Sequence, residues 1–262
     1  MKKFHSIYDI KKVLIISICT MLIRYFYIEY YLFPEEGMKI SHNDLCQLFF
    51  GGIPLEYSFD MIVISIHMII IVLEVIVISY DLFNGLIDNI DILLSRVEKR
   101  KKMYWIFLSE VIKRDLILVC CNYLFFLVFV RKIPNIDDGI VMFSLFLLIF
   151  SLELIYFIFG FIFKNVFGYI VMLLFYFAPL LFIGFSFANG YSIWKVGQYF
   201  VLQYGNYNWF HKIFALYTEY DWEWESIVFT INFEYMSIIV QIFISMILLY
   251  IGQESFKKIR VI

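Results

Sequence analysis

The sequence predicts an all-α integral membrane protein with six transmembrane helices, both termini in the cytoplasm and additional interfacial helices. Of its 262 residues, 63% are hydrophobic, whereas a soluble domain of this size needs more polar surface to cover its core. The apolar residues also fall into separate runs of about 20 residues, the length that crosses roughly 30 Å of hydrocarbon. We therefore expect one transmembrane domain, residues 1–262.

Six apolar runs separated by charged or polar segments define the predicted spans. Each run is long enough for a helix, and none shows the strict alternation of a half-buried strand. The predicted bounds are Val13–Leu32, Met61–Tyr80, Asp115–Val130, Gly139–Phe163, Gly168–Phe187 and Tyr235–Gly252.

The distribution of lysine and arginine predicts the orientation of these spans, because basic residues are retained on the cytoplasmic side. Basic residues are dense at the N-terminus, in the segment 96–114 and in the C-terminal tail. The loop 33–60 has one lysine against five acidic residues, and the segment 189–234 has two against five. Both acidic segments are therefore expected outside. Arg131 and Lys132, which this topology places outside, are the exception.

Three segments outside the spans are expected to form structure of their own. Residues 1–12 place four lysines beside apolar residues and predict an amphipathic N-terminal helix. Residues 81–114 are a cytoplasmic segment with leucine and isoleucine at helical spacing. The extracellular segment 189–234 is rich in tyrosine and tryptophan, which is typical of the headgroup region. Binding of a hydrophobic ligand is the alternative interpretation of that segment.

The sequence contains no motif for catalysis or nucleotide binding. It has no Gly-rich phosphate loop, no His-Glu-x-x-His zinc motif and no Gly-x-Ser-x-Gly turn. The four cysteines and four histidines have no metal-ligand spacing, and a net charge of −2 does not suggest nucleic-acid binding. We expect a chain that is not an enzyme and binds no cofactor, metal or nucleic acid.

Ionisable residues within the predicted spans are the candidate functional residues, because a charge in hydrocarbon needs a partner or a polar path. One interpretation is a translocation path or proton relay through Glu74 and Glu153. The other is a structural lock, in which hydrogen bonds to Arg24, His67 or hydroxyl groups hold helices together. The full set is Arg24, Glu29, His67, Glu74 and Glu153.

Pro179 lies within the fifth predicted span and removes one backbone donor from that helix. We expect a kink there. The kink is either part of a gate or one of the prolines that membrane helices tolerate.

The six spans, the cytoplasmic ends and a partial motif after span two together resemble the membrane subunits of type 2 ABC exporters. In such permeases an acidic residue, Asn-Gly-Thr, a Leu-Leu pair and Ser-Arg often occur at this point. The matching residues here are Asp81, Asn84-Gly85, Leu93-Leu94 and Ser95-Arg96. Leu86 replaces the threonine, and no proline precedes Ser95.

This resemblance implies that a coupling helix follows span two and docks on a separate ABC ATPase. It further implies two ATPase copies carrying ATP and Mg²⁺, and a second permease copy or a homologous permease. In this interpretation the exposed apolar residues enter a groove of the ATPase; the alternative is an amphipathic helix lying on the lipid bilayer. The coupling residues are Asp81, Leu82, Phe83, Gly85, Leu86, Asp88, Ile90 and Asp91.

The small size and the residue usage resemble permeases of Gram-positive bacteria that export antimicrobial peptides or give self-immunity to them. The resemblance therefore implies a multi-pass protein of the cell membrane with a peptide or another amphipathic substrate. Two other classes stay open from the residues: an ion-coupled transporter using Glu74 and Glu153, and a non-transporting scaffold or sensor.

Overall fold

The computed structural model of the chain is helical in nearly all of the residues that it describes. These are residues 6–28, 45–50, 60–77, 79–80, 82–83, 100–131, 133–163, 165–191 and 235–258. No β-strand occurs among them. The all-α class predicted from the apolar runs is therefore confirmed for this part of the chain.

Seven α-helices are defined within the described ranges, and one of them continues into a π-helical segment. Within the described ranges, α4, α5 and α6 follow one another along the chain with at most a few residues between them. The bounds are α1 Ser6–Tyr27, α2 Leu45–Phe50, α3 Met61–Ile71 with its π-helical continuation Val72–Val77, α4 Arg100–Val130, α5 Ile136–Phe163, α6 Asn165–Ala188 and α7 Tyr235–Lys258.

Three helices of the described chain are long and apolar enough to cross a membrane. They comprise Asp138–Phe163 in α5, Val166–Ser186 in α6 and Ile238–Lys257 in α7. A shorter apolar helix covers Met61–Ile76. By length and composition, these helices indicate a membrane protein.

Helix α5 lies at the centre of the bundle. Of its most apolar stretch 78% is buried by the rest of the protein, against 33% in α6 and 17% in α7. Helix α5 packs against α4, α6 and α7. Its central position explains why polar residues on α5, which would be costly in lipid, find partners on neighbouring helices.

The α5–α6 hairpin is packed so closely that glycine is required at position 168. A Cβ atom at Gly168 would lie 2.7 Å from the Tyr156 carbonyl oxygen and 3.0 Å from the Gly160 nitrogen. Small residues let helix backbones approach in this way and are common at helix interfaces in membranes. The same two helices are also joined by the Tyr156 hydroxyl on α5, which donates to the Tyr169 hydroxyl on α6 at 2.9 Å.

Two helix boundaries differ from the sequence predictions. Residues 6–12 form the first turns of α1 without a break, so they are not a separate N-terminal helix in this part of the chain. Helix α4 begins at Arg100 and continues through Asp115, where we expected the third span to start. Met103, Phe107 and Val111 are buried, and this packing extends the helix through its basic first half.

Candidate functional site

The first candidate site is a buried ion pair between α1 and the π-helical segment. Arg24 Nη1 donates to Glu74 Oε1 at 2.6 Å, and Arg24 Nη2 donates to Glu74 Oε2 at 2.9 Å. Arg24 is 7% exposed and Glu74 is 1% exposed. This two-bond arrangement matches the planar guanidinium to the carboxylate and is the strongest geometry for such a pair.

Helix α4 completes this ion pair. The Asn122 side-chain nitrogen donates to Glu74 Oε1 at 2.8 Å, and Asn122 is fully buried. On the other side, the Arg24 guanidinium lies 5.1 Å from the centre of the Phe50 ring in α2, a distance suited to a cation–π contact. Four elements of the bundle therefore meet at Arg24 and Glu74.

His67 is buried close to this pair but does not complete it. Its ring packs edge-on against Tyr27 with the ring centres 5.5 Å apart. Among the residues that the structure describes, His67 Nε2 has no hydrogen-bond partner. His67 and Glu74 are both buried, but the hydrogen bonds of Glu74 come from other helices.

The second candidate site joins the end of α3 to α4 and α5. The Ser79 hydroxyl donates to Glu153 Oε1. The carboxyl groups of Asp115 and Glu153 are neighbours that interact electrostatically, and neither Asp115 oxygen has a hydrogen-bond partner in the described part of the chain. Asp115 is fully buried and Glu153 is 1% exposed, and the positive charge of Arg114 acts on both carboxyl groups.

The two sites lie at different levels of one antiparallel interface. Glu74 and Ser79 are separated by five residues along one chain segment, and Asn122 and Asp115 by seven along α4. At about 1.5 Å per α-helical residue, the seven residues along α4 correspond to about 10 Å. Glu74 contacts Asn122, whereas Ser79 contacts Glu153, which lies beside Asp115. The residue numbers thus rise along one segment while they fall along the other. The two segments therefore run antiparallel, and the two sites lie at different levels of their interface.

A third polar contact joins α5 to α7. The Ser144 hydroxyl donates to the Gln241 side-chain oxygen at 3.0 Å, and the hydroxyl groups of Ser151 and Ser245 are 2.8 Å apart. All four residues are buried. Such hydrogen bonds between helices stabilise packing in membranes by roughly 1 kcal/mol each.

The structure separates the predicted candidates into two groups. Arg24 and Glu74 form one site together, whereas Glu153 belongs to the other. Glu29 lies outside the described residues. Helix α6 continues through Pro179 without interruption from Asn165 to Ala188.

Asp115 and Asn122 belong to the two candidate sites but are not among the site residues predicted from the sequence. The sequence prediction uses Asp115 only as the start of the third span. A signal was present, because two polar residues seven positions apart in a helix lie on the same face. Both fall in an otherwise apolar stretch, so their shared face indicated a polar contact within the bundle.

The predicted coupling segment lies mostly outside the described residues, which include Leu82 and Phe83 but neither Asp81 nor residues 84–99. For these two residues the expected exposure is wrong. Leu82 is 7% exposed and Phe83 is fully buried. Phe83 packs against the rings of Tyr156, Phe157 and Phe161 on α5, and this aromatic burial removes both side chains from any docking surface.

Comparison with protein families, with curated proteins and with solved structures finds no match to this chain. The fold and the buried contacts therefore define a class, an all-helical protein with helices suited to a membrane.

Proposed function

We propose that this protein is the permease subunit of an ATP-driven ABC transporter that exports a peptide or another amphipathic substrate. One observation supports it most directly. Two described residues of the predicted cytoplasmic segment 81–114, Phe83 and Phe107, both pack against the Phe157 ring on α5. A segment that transmits movement from an ATPase needs such fixed attachments to the bundle.

The first attachment is Phe83. Its ring centre lies 4.8 Å from that of Tyr156, 5.4 Å from that of Phe157 and 5.0 Å from that of Phe161. Gly160 leaves room for this ring, since a Cβ there would lie 2.6 Å from the Phe83 ring. A displacement of Phe83 would therefore push directly on the central helix.

The second attachment is the start of α4. The Phe107 ring centre lies 4.7 Å from that of Phe157 and 6.3 Å from that of Phe161. Nearby, the Tyr104 hydroxyl donates to the Leu249 carbonyl oxygen of α7 at 3.1 Å. Movement of the coupling segment would reach α5 and α7 together, which is what a change of access across the bundle requires.

The proposed assembly contains two permease chains, identical or homologous, and two ATPase chains that hold ATP and Mg²⁺. The permease crosses the cell membrane of a Gram-positive bacterium six times, with both termini in the cytoplasm and the aromatic segment 189–234 outside. The basic segment 96–114 supports this orientation. Antimicrobial-peptide export or self-immunity is the substrate class that the resemblance favours.

Co-purification combined with coupling variants tests the proposal. We expect an ABC ATPase to co-purify with the protein from native membranes, and Leu86→Asp with Ile90→Asp to uncouple ATP hydrolysis from transport. A carboxylate at either position would have to enter an apolar groove. The matched control is Lys101→Ala with Lys102→Ala, whose exposed charges contribute little individually.

Failure to capture an ATPase would contradict the proposal. If the lysine variants abolish activity while the aspartate variants are silent, the segment is a lipid anchor rather than a docking helix. Both variants must first be shown to reach the membrane in normal amounts.

A proton-coupled transporter is a second candidate function, and the Asp115–Glu153 contact favours it. Buried carboxyl groups that can exchange a proton are typical of proton relays in transporters. Glu74 is a weaker candidate for that role, because Arg24 holds its carboxylate with two hydrogen bonds. Substrate uptake or release driven by a pH gradient, without any ATPase, would favour this function over the first. A scaffold or sensor would show neither activity.

A further inference from the structure

We propose that Asp115 and Glu153 form a binding site for a single proton inside the bundle, and that loss of this proton loosens α4 against α5. The site is separate from the predicted coupling segment and does not depend on an ATPase. It rests on the contacts of the two carboxyl groups and on the burial of Asp115.

The contact between the two carboxyl groups is the first argument. Ionised carboxylates have only acceptor atoms, so the neighbouring carboxyl groups of Asp115 and Glu153 can form a hydrogen bond with each other only when one of them carries a proton. Two buried carboxylates in contact would otherwise repel each other strongly, since few water molecules screen them. One proton removes the repulsion and supplies the hydrogen bond.

The surroundings of Asp115 are the second, independent argument. Asp115 is fully buried, and neither of its carboxylate oxygens accepts a hydrogen bond from a donor group in the described part of the chain. The Ser79 hydroxyl donates to Glu153 instead. A buried carboxyl without a donor is left with the neighbouring carboxyl group as its partner.

Several charged or titratable groups lie around the two carboxyl groups. Arg114 on α4 attracts negative charge at both carboxyl groups. Tyr156 on α5 lies near Glu153. Tyr80, which follows α3, and Tyr169 on α6 in turn interact electrostatically with Tyr156. One arginine balances one carboxylate, so a proton on the other carboxyl leaves the site without net charge.

The consequence is a contact between helices that depends on protonation. Glu153 belongs to the central helix α5, and Asp115 belongs to α4. Loss of the proton replaces their hydrogen bond by repulsion between two carboxylates. The two helices would then separate locally, while the Arg24–Glu74 pair still holds α1 to the π-helical segment.

Infrared spectroscopy of the full chain in lipid nanodiscs tests the site. We expect the C=O stretching band of a protonated carboxyl group at neutral pH, its loss at alkaline pH, and its absence in Asp115→Asn and in Glu153→Gln. Glu110→Gln, which changes an exposed carboxylate on α4, should keep the band. The titration of the unchanged protein remains informative if a variant fails to fold.

Hydrogen exchange in the same nanodiscs tests the coupling to packing. Backbone amides around Asp115 and Glu153 should exchange faster at alkaline pH in the unchanged protein, beyond the intrinsic pH effect measured at amides around Ser144. That extra increase should disappear in Glu153→Gln. Absence of the protonated band at neutral pH, or equal exchange in both proteins, overturns the proposal. Loss of the band on adding sodium chloride but not potassium chloride at constant pH also overturns it, because a sodium ion would then occupy the site.

Discussion

At the residue scale, the contacts of Arg24 and Glu74 favour the structural interpretation of these charges. Each side chain is almost fully buried, and both carboxylate oxygens accept from the guanidinium. Such a pair contributes little net stability over apolar residues, but removing one partner leaves an uncompensated buried charge. The pair thus selects which helix faces meet rather than adding much to the free energy of unfolding.

This asymmetry gives a prediction for Glu74. Glu74→Gln should lower the free energy of unfolding by about 3 to 5 kcal/mol, because Arg24 loses its counter-charge. The double variant Arg24→Met with Glu74→Gln should recover most of that loss, since Gln can still accept from Asn122. Unfolding in mixed detergent micelles, followed by the change in helicity, measures both.

An exposed ion pair is the control for the Glu74 experiment. Lys113 donates to Glu110 at 2.7 Å on the surface of α4, and the two side chains are 63% and 43% exposed. Lys113→Gln should change the free energy of unfolding by less than about 1 kcal/mol. If Glu74→Gln is equally mild, or the double variant is no better than the single one, the lock interpretation is wrong.

The sequence could identify the buried charges but not all their partners. Arg24, His67, Glu74 and Glu153 stand out because each interrupts an apolar run. Their pairing depends on contacts such as Arg24 with Glu74, fifty residues apart. No local pattern encodes such a distance, and so the separation of Glu153 from Glu74 and the roles of Asp115 and Asn122 required the three-dimensional arrangement.

At the scale of the elements, the α5–α6 hairpin depends on close backbone packing. Gly168→Ala should lower the free energy of unfolding by about 1 to 3 kcal/mol, because the new Cβ would meet backbone atoms that cannot rotate away. Gly139→Ala in α5 is the matched control, since nothing lies within 4 Å of its Cβ position. The control should be neutral or stabilising, because alanine favours helix. Equal effects of the two changes would contradict the tight packing.

The link between the coupling segment and α5 gives another prediction at this scale. Phe83→Leu should leave an ATPase bound but lower ATP-driven transport several-fold, because the smaller side chain leaves a gap beside Phe157. Phe182→Leu on α6 is the control, since that ring is 61% exposed and touches little of the bundle. Transport assays in proteoliposomes compare the two. Unchanged transport by the Phe83 variant would remove this ring from the proposed route of coupling.

Helices were easier to predict than their ends. Apolar runs predict that α5, α6 and α7 exist, and their bounds in the structure differ from the predicted spans by a few residues. The start of α4 differs more, because hydropathy marks where charges begin rather than where a helix begins. Tyr104, Phe107 and Leu108 bury one face of this charged stretch and continue the helix beyond the apolar run.

At the scale of the whole molecule, consecutive spans cross a membrane in opposite directions. From this we derive a prediction for the two ends of α5. This helix has 28 residues and is therefore about 42 Å long, enough to cross a bilayer. Ile133, before its start, is 85% exposed, and Val166, after its end, is 69% exposed. If α5 spans the membrane, these two positions lie on opposite sides.

Cysteine labelling in whole cells tests this topology, starting from a variant in which the four native cysteines are replaced by serine or alanine. Ile133→Cys should react with a membrane-impermeant maleimide in intact cells, because the acidic loops place that end of α5 outside. Val166→Cys should react only after the cells are permeabilised. Ile133 lies next to Arg131 and Lys132, so its reaction also decides whether two basic residues can stay on the outer side. Reaction of Val166→Cys in intact cells would reverse or break the proposed order of spans, and the coupling segment would no longer face an ATPase in the cytoplasm.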